Sequence, residues 1–187
     1  MDDDDISEPE RFAIQKEYLD THVQVFLVGT AITLIDGTGK AKGRKHALTD
    51  IEELKFRQLT LSQFVHPSVM FRNDAFVREG GYDENYRYAQ DYEAWSRLTL
   101  TNIDQSLLKY RVHGESTTQS GDSRTIAYEL ALSITRSNLA HYIPLDDDTF
   151  AAFCAAFYRD KVPSRAALRA VIATWESLLT TYLARAT

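Results

Sequence analysis

The stretch from Val23 to Ile35 is rich in β-branched and aromatic residues and reads as a strand. Its nearly apolar part, Val25 to Ile35, is interrupted by Gly29, Thr30 and Thr33. That run is far short of the roughly 20 residues needed to cross a bilayer. A turn signal, Asp36-Gly37-Thr38-Gly39, closes it. Strand-like and helical segments alternate around it up to Asp122, and everything after reads as helix. The expectation is an α/β unit of mixed strands and helices followed by an all-helical tail.

Before the strand, the sequence predicts a helix from Ser7 to near His22. Asp5 or Ser7 can cap it, Pro9 suits its first turn, and Phe12, Tyr18 and Leu19 give a partial apolar stripe. Beyond the strand, residues 40–45 (Lys-Ala-Lys-Gly-Arg-Lys) read as a short basic loop. A short helix is expected from Asp50 to about Leu59. Phe64 to Arg72 reads as a loop entering a buried strand. Asn73 is placed to cap a short helix that Gly80-Gly81 closes. A tyrosine-rich loop (Tyr82, Tyr86, Tyr88) leads to a helix from Gln90 to Leu98, then a strand from Leu107 to Val112 and a polar loop from Gly114 to Asp122. The tail divides into helices at about 123–142, 147–160 and 164–186, separated by Pro144 and Pro163. In the last, Leu168, Val171, Ile172, Trp175, Leu178, Leu179, Tyr182 and Leu183 follow the period of one buried face.

Composition excludes several classes. With 187 residues the chain is long enough for a real core, and 44% hydrophobic content excludes a disordered chain. Lys+Arg total 21 and Asp+Glu total 27, so the net charge is −6, which argues against a nucleic-acid binder. Asp2, Asp3, Asp4, Asp5, Glu8 and Glu10 carry a charge equal to that whole excess. The single cysteine, Cys154, excludes an internal disulfide and a multi-thiolate zinc site. The start is acidic, unlike a secretory signal.

Three features could carry chemistry. Four successive aspartates repel one another unless a cation joins them, and hard oxygen ligands suit magnesium or manganese; a solvated acidic start is the plainer alternative. Asp91 lies where a loop becomes a helix, where a carboxylate can take a proton from a hydroxyl or can simply cap the helix. His113 ends a strand and His66 precedes Pro67, positions open to a ligand role or to ordinary hydrogen bonding.

The order of these segments is specific. Residues 1–12, Met-Asp-Asp-Asp-Asp-Ile-Ser-Glu-Pro-Glu-Arg-Phe, resemble the Asp-x-Asp-Asp and Pro-Glu-Arg signature of family 2 glycosyltransferases with the GT-A fold. The strand Val25 to Asp36, the His66-Pro67-Ser68 segment, Gly80-Gly81-Tyr82-Asp83 with Gln90-Asp91-Tyr92-Glu93, and Tyr110-Arg111-Val112-His113-Gly114 resemble that family's later motifs in the same order. The resemblance covers roughly residues 1–118. It implies transfer of a sugar, with inversion, from a nucleotide-diphosphate sugar, by expectation UDP-linked, to an acceptor hydroxyl. It places Asp2 and Asp4 at a divalent metal (Mn or Mg), Asp4 as the more direct ligand, with His113 near metal and diphosphate. Asp91 takes the general-base position. His66, Gly80 and Gly81 would border the acceptor, and Gln90 stands where the family has an acidic residue.

The resemblance also implies that the family's nucleotide-binding half would precede Met1. The expectation is therefore an incomplete GT-A fold, residues 1–121, with a helical extension, 122–187. The strands would show unpaired edges, and the chain alone would bind a nucleotide sugar weakly. The expected partners are the nucleotide sugar and a glycan or lipid-linked acceptor, with no nucleic acid and no transmembrane segment. A cytoplasmic place is expected, with peripheral contact at the inner face of the membrane and a homodimer through the tail both open. The alternatives are a catalytically silent helical interaction module, a truncated gene product, or an acidic metal-binding peptide on an unrelated fold.

Overall fold

The computed structural model describes residues 2–112, 121–158 and 164–186. The chain divides into two compact units, Met1–Ala131 and Leu132–Thr187. The first is a mixed α/β unit built on an open sheet.

Among the described residues the sheet has five strands. They are β1 (Ile6–Ser7), β2 (Leu27–Ile35), β3 (Ala41–Lys45), β4 (Met70–Phe71) and β5 (Leu100–Arg111). The order is β1-β5-β2-β3, and β4 also pairs with β2. β2 and β5 run parallel from Leu27 opposite Leu100 to Ile35 opposite Arg111. β1, β3 and β4 pair antiparallel with their neighbours.

β2 is central because its side chains allow nothing else. Leu27, Val28, Ala31, Ile32 and Ile35 are all buried. Gly29 is required by close approach: a Cβ there would lie 2.2 Å from Asn102 Oδ1 and 2.8 Å from a Phe64 ring carbon. The strand begins at Leu27 rather than Val23, because the chain first turns, with the Val25 amide donating to the His22 carbonyl at 2.9 Å. β2 is flanked on both sides, whereas β5 meets β1 only at Leu108 and Lys109.

Residues 41–45 of the expected basic loop are β3 instead. Asp36 folds the hairpin: its Oδ1 accepts from the Thr38 and Lys40 amides at 3.0 Å, and Gly39 takes a φ of 86°. The Thr38 hydroxyl and Lys42 hold the Asp36 carboxyl well below the usual carboxylate range. Every residue of β3 is exposed, so no apolar alternation marks it in the sequence. β5 is likewise longer than the expected Leu107–Val112. Its register slips between Ile103 and Ser106, and the displaced Asp104 accepts from Arg44 Nη2 at 3.1 Å and the Ala47 amide at 3.0 Å.

Four helices cover this unit: α1 (Arg11–Thr21), α2 (Ile51–Gln58), α3 (Asn73–Arg78) and α4 (Gln90–Ser96). α2 starts as expected, with Asp50 accepting from the Glu53 amide at 2.8 Å. α3 lacks its expected Asn73 cap, since Arg72 occupies that position without a side-chain bond. α1 starts at Arg11, four positions later than expected, because Ile6 and Ser7 pair with Lys109 and Leu108. Its buried residues are Arg11, Gln15 and Leu19, while Phe12 of the expected apolar stripe is 59% exposed. One core cluster joins Leu27, Leu54, Phe64, Phe76, Ala94, Trp95 and Leu100.

The second unit contains α6 (Asp147–Tyr158), α7 (Arg165–Ala186) and the end of α5 (Gly121–Ala140). Trp175 packs on Phe153 at 5.2 Å between ring centres, and Tyr182 on Tyr142 at 5.5 Å. Arg136 bonds Asp147 at 2.5 Å and lies over the Phe150 ring. Burial pushes the Cys154 thiol up to about 11. Val171, Leu178 and Tyr182 are buried, but Leu168, Ile172, Leu179 and Leu183 on the same helix are exposed. Among the described residues no helix is long and apolar enough to cross a membrane.

A Gly29→Ala substitution should lower stability by about 1–3 kcal/mol, the usual range for overpacking a core. The midpoint of urea unfolding measures it.

Candidate functional site

The candidate site begins with a buried guanidinium. Arg11, on the first turn of α1, is 2% exposed. Its Nε donates to Gln15 Oε1 at 2.9 Å and its Nη2 to the Pro67 carbonyl at 2.8 Å. Gln15 Nε2 in turn donates to the Val28 and Ser68 carbonyls, each at 2.9 Å. Ser68 Oγ donates to the Val65 carbonyl at 2.8 Å. Burial lowers the Arg11 pKa while the charge of Asp5 raises it. The result is a short 3₁₀ turn, His66–Ser68, locked against both α1 and β2.

That turn forms one wall of an open cleft of about 490 Å³. Ile32 and Leu34 of β2, Lys45 of β3 and Tyr110 of β5 line it, with Tyr88, Gln90 and Asp91 from the loop and helix opposite. Asp2, His66, Gln90 and Asp91 are therefore brought together on one cleft. His113 lies outside the described residues. Gly80 and Gly81 do not line the cleft; with φ of 96° and 64° they end α3 and turn the chain toward Tyr82. Arg97 holds that turn, donating to the Gly81 carbonyl at 2.7 Å and bonding Glu93 at 2.8 Å.

Tyr82 and His66 then meet, Tyr82 Oη and His66 Nε2 lying 3.0 Å apart. The His66 ring sits edge-on to Trp95 at 5.9 Å. Burial pushes the Tyr82 phenol up, and the charge of Asp91 adds to it. Asp91 sits in the first turn of α4, where its Oδ1 accepts from the Tyr92 amide at 2.8 Å. The adjacent Gln90 has a buried Oε1 with no partner. An unpaired buried acceptor is costly.

The acidic run is fixed by Arg111. Its amide donates to Asp5 Oδ1 at 3.0 Å, its Nε to the Asp4 carbonyl at 2.8 Å, and its Nη1 to the Asp36 carbonyl at 2.8 Å. Asp5 is buried, and its Oδ2 has no partner. Burial, then the charges of Asp4 and Asp2, push its carboxyl up. Among the described residues no three His, Cys, Asp or Glu side chains converge as a preformed metal site. Asp2 and Asp4 still present hard oxygen donors whose mutual repulsion a cation relieves, so they fit magnesium or manganese chemically.

Sequence reasoning missed Arg11, Gln15, Lys45, Tyr82 as a His66 partner, and Tyr88 and Tyr110 as cleft residues. Arg11 and Gln15 recur at helical spacing, but as polar residues they give no hydrophobic signal. An Arg11→Met variant should lose about 3 kcal/mol, because it strips donors from buried carbonyls. Urea unfolding measures the loss, and a shifted His66 ring resonance would report the loosened turn.

No family model matches the chain. Over 116 residues it is 33% identical to the amylovoran biosynthesis glycosyltransferase AmsE of Erwinia amylovora, covering 59% of this chain and 43% of the relative. It is 31% identical to the O-antigen biosynthesis glycosyltransferase WbnJ of Escherichia coli, over 64% of this chain and 49% of that protein. An uncharacterised glycosyltransferase of Methanocaldococcus jannaschii is 30% identical over 60% of this chain and 40% of its own length. The matches thus span under half the length of these relatives. Over that part, the chain is a homologue of proteins named glycosyltransferases.

Proposed function

We propose that this chain is the metal- and acceptor-binding part of a family 2 glycosyltransferase with the GT-A fold. It would serve sugar transfer from a nucleotide-diphosphate sugar, UDP-linked in our reading, to an acceptor hydroxyl. The observation that carries the proposal is Asp91, placed on the same cleft as Asp2, His66 and the unsatisfied Gln90. Kinship with proteins named for amylovoran and O-antigen biosynthesis supports a glycan or lipid-linked acceptor in envelope polysaccharide synthesis.

In this reading Asp91 accepts the proton of the acceptor hydroxyl. The freed oxygen pair attacks the anomeric carbon from the face opposite the leaving group. The bond from that carbon to the diphosphate oxygen breaks, and configuration inverts. Gln90 Oε1 accepts from a second acceptor hydroxyl, and His66, held by Tyr82, borders the sugar. Tyr88 and Tyr110 line the same cleft. Asp2 and Asp4, with His113, would hold a divalent cation, which supplies charge neutralisation for the departing diphosphate. Arg111 anchors the run that carries them, through the Asp5 carboxylate and the Asp4 carbonyl. Peripheral contact with the inner face of a membrane fits a lipid-linked acceptor.

Asp91→Asn should lower the transfer rate of the protein by about 10²–10⁴-fold, the range for removing a general base. Radiolabelled sugar incorporation with manganese measures it. Undiminished transfer would remove Asp91 from the mechanism and leave a silent interaction module as the better reading.

The exposed Leu168, Ile172, Leu179 and Leu183 support a second role, self-association through α7. Light scattering should show a dimer that a Leu179→Glu, Leu183→Glu pair converts to monomer.

A further inference from the structure

A second cavity, of about 440 Å³, adjoins the candidate cleft through a shared residue, Lys45. Its ionisable lining is Lys45, His46 and Arg57, with Leu48, Leu61 and Gln63 beside them; among the described residues no Asp or Glu lines it. The candidate cleft differs in carrying two carboxylates, Asp2 and Asp91, beside Lys45 and His66. Carboxylates line the cleft but not this cavity, and Lys45 lines both.

The basic groups are held in different ways. His46 Nδ1 lies 3.0 Å from Asp104, and Arg57 Nη2 lies 2.6 Å from Glu53. These carboxylates fix both heads beside the cavity. Lys45 ends β3, opposite Ile32 of β2, and Ile32 is itself on the cleft wall. No ion pair holds the Lys45 ammonium among the described residues. A free ammonium at the junction of two cavities lacks the partner that the neighbouring cations have.

We propose that this second cavity binds an oxyanion carried by the acceptor, a phosphate or a carboxylate, with Lys45 as its chief contact. This rests on the glycosyl-transfer reading and extends it. The neutral hydroxyls of the acceptor lie at Gln90 and Asp91, and its anionic group crosses Lys45 toward Arg57 and His46. The aliphatic walls of Leu48 and Leu61 suit the carbon frame joining the two. A phosphate ester linkage and an acidic sugar share this chemistry.

The test follows amide chemical shifts of the isotope-labelled chain during titration with inorganic pyrophosphate, glucuronate and, as a neutral control, glucose. The expected result is saturable shifts at Ala47, Leu48 and Gln63 with an anion, none with glucose, and weakening as salt rises. Lys45→Gln should weaken that binding about fivefold, the scale of one exposed ion pair, and Arg57→Gln by less. Unchanged dispersion of the remaining amides shows that both variants stay folded. The anion that binds more tightly identifies the source, phosphate or acidic sugar. Asp91→Asn should leave the binding intact, so loss of the transfer reading and loss of this one are read separately. Absence of shifts at these amides, or equal binding by Lys45→Gln, overturns the proposal.

Discussion

Taking Arg11 out of water would be strongly unfavourable if its N–H groups found no oxygen. Here the donors reach Gln15 and the carbonyls of Pro67 and Val69, and Gln15 passes the linkage on to β2 and Ser68. The rest of the site depends on that arrangement. It fixes the His66–Ser68 turn without a long loop, and the turn fixes His66 against Tyr82 and Trp95. α1 buries polar residues where most helices bury apolar ones, so its docking depends on hydrogen bonds as much as on hydrophobic area. The helix and the turn therefore form together: neither satisfies its own polar groups alone.

A second organising contact is Arg111. It ends the longest strand of the sheet and ties it to the acidic run and to the end of β2. Where Arg11 fixes one wall of the cleft, Arg111 fixes the acidic run that leads from Asp2 into β1. Between them, the carboxylates of Asp2 and Asp91 stay on a common cleft although they are far apart in sequence. Lys45 stands between the two cavities because of the same sheet, since β3 pairs along β2 and sets Lys45 opposite Ile32.

Much of this was legible in the sequence where local chemistry decides structure. Asp50 announces α2, Gly80-Gly81 announces the end of α3, and the apolar period of residues 164–186 announces α7. The motif order singles out Asp2, His66, Gln90 and Asp91, which line one cleft, along with Gly80 and Gly81, which do not. What escaped was decided by pairing at a distance. β1 exists because β5 offers it two partners. β3 exists because β2 has an edge to fill, and its polar residues show no alternation. α1 starts late because Ile6 and Ser7 are taken by the sheet. Arg11 and Gln15 are buried only because carbonyls from elsewhere in the chain wait for them, which no local rule can read.

The displaced pair in β5 has a consequence for how the chain can vary. Asp104 and Gln105 sit between Ile103, opposite Thr30, and Ser106, opposite Ala31, so the strand carries more residues than the neighbour it follows. Its far end is Arg111. Removing a residue from this stretch would draw Arg111 back along the sheet, away from Asp5 and Asp36. The strand thus acts as a ruler: substitutions along its exposed face leave the measured length intact, whereas insertions and deletions move the mark at which the acidic run is held.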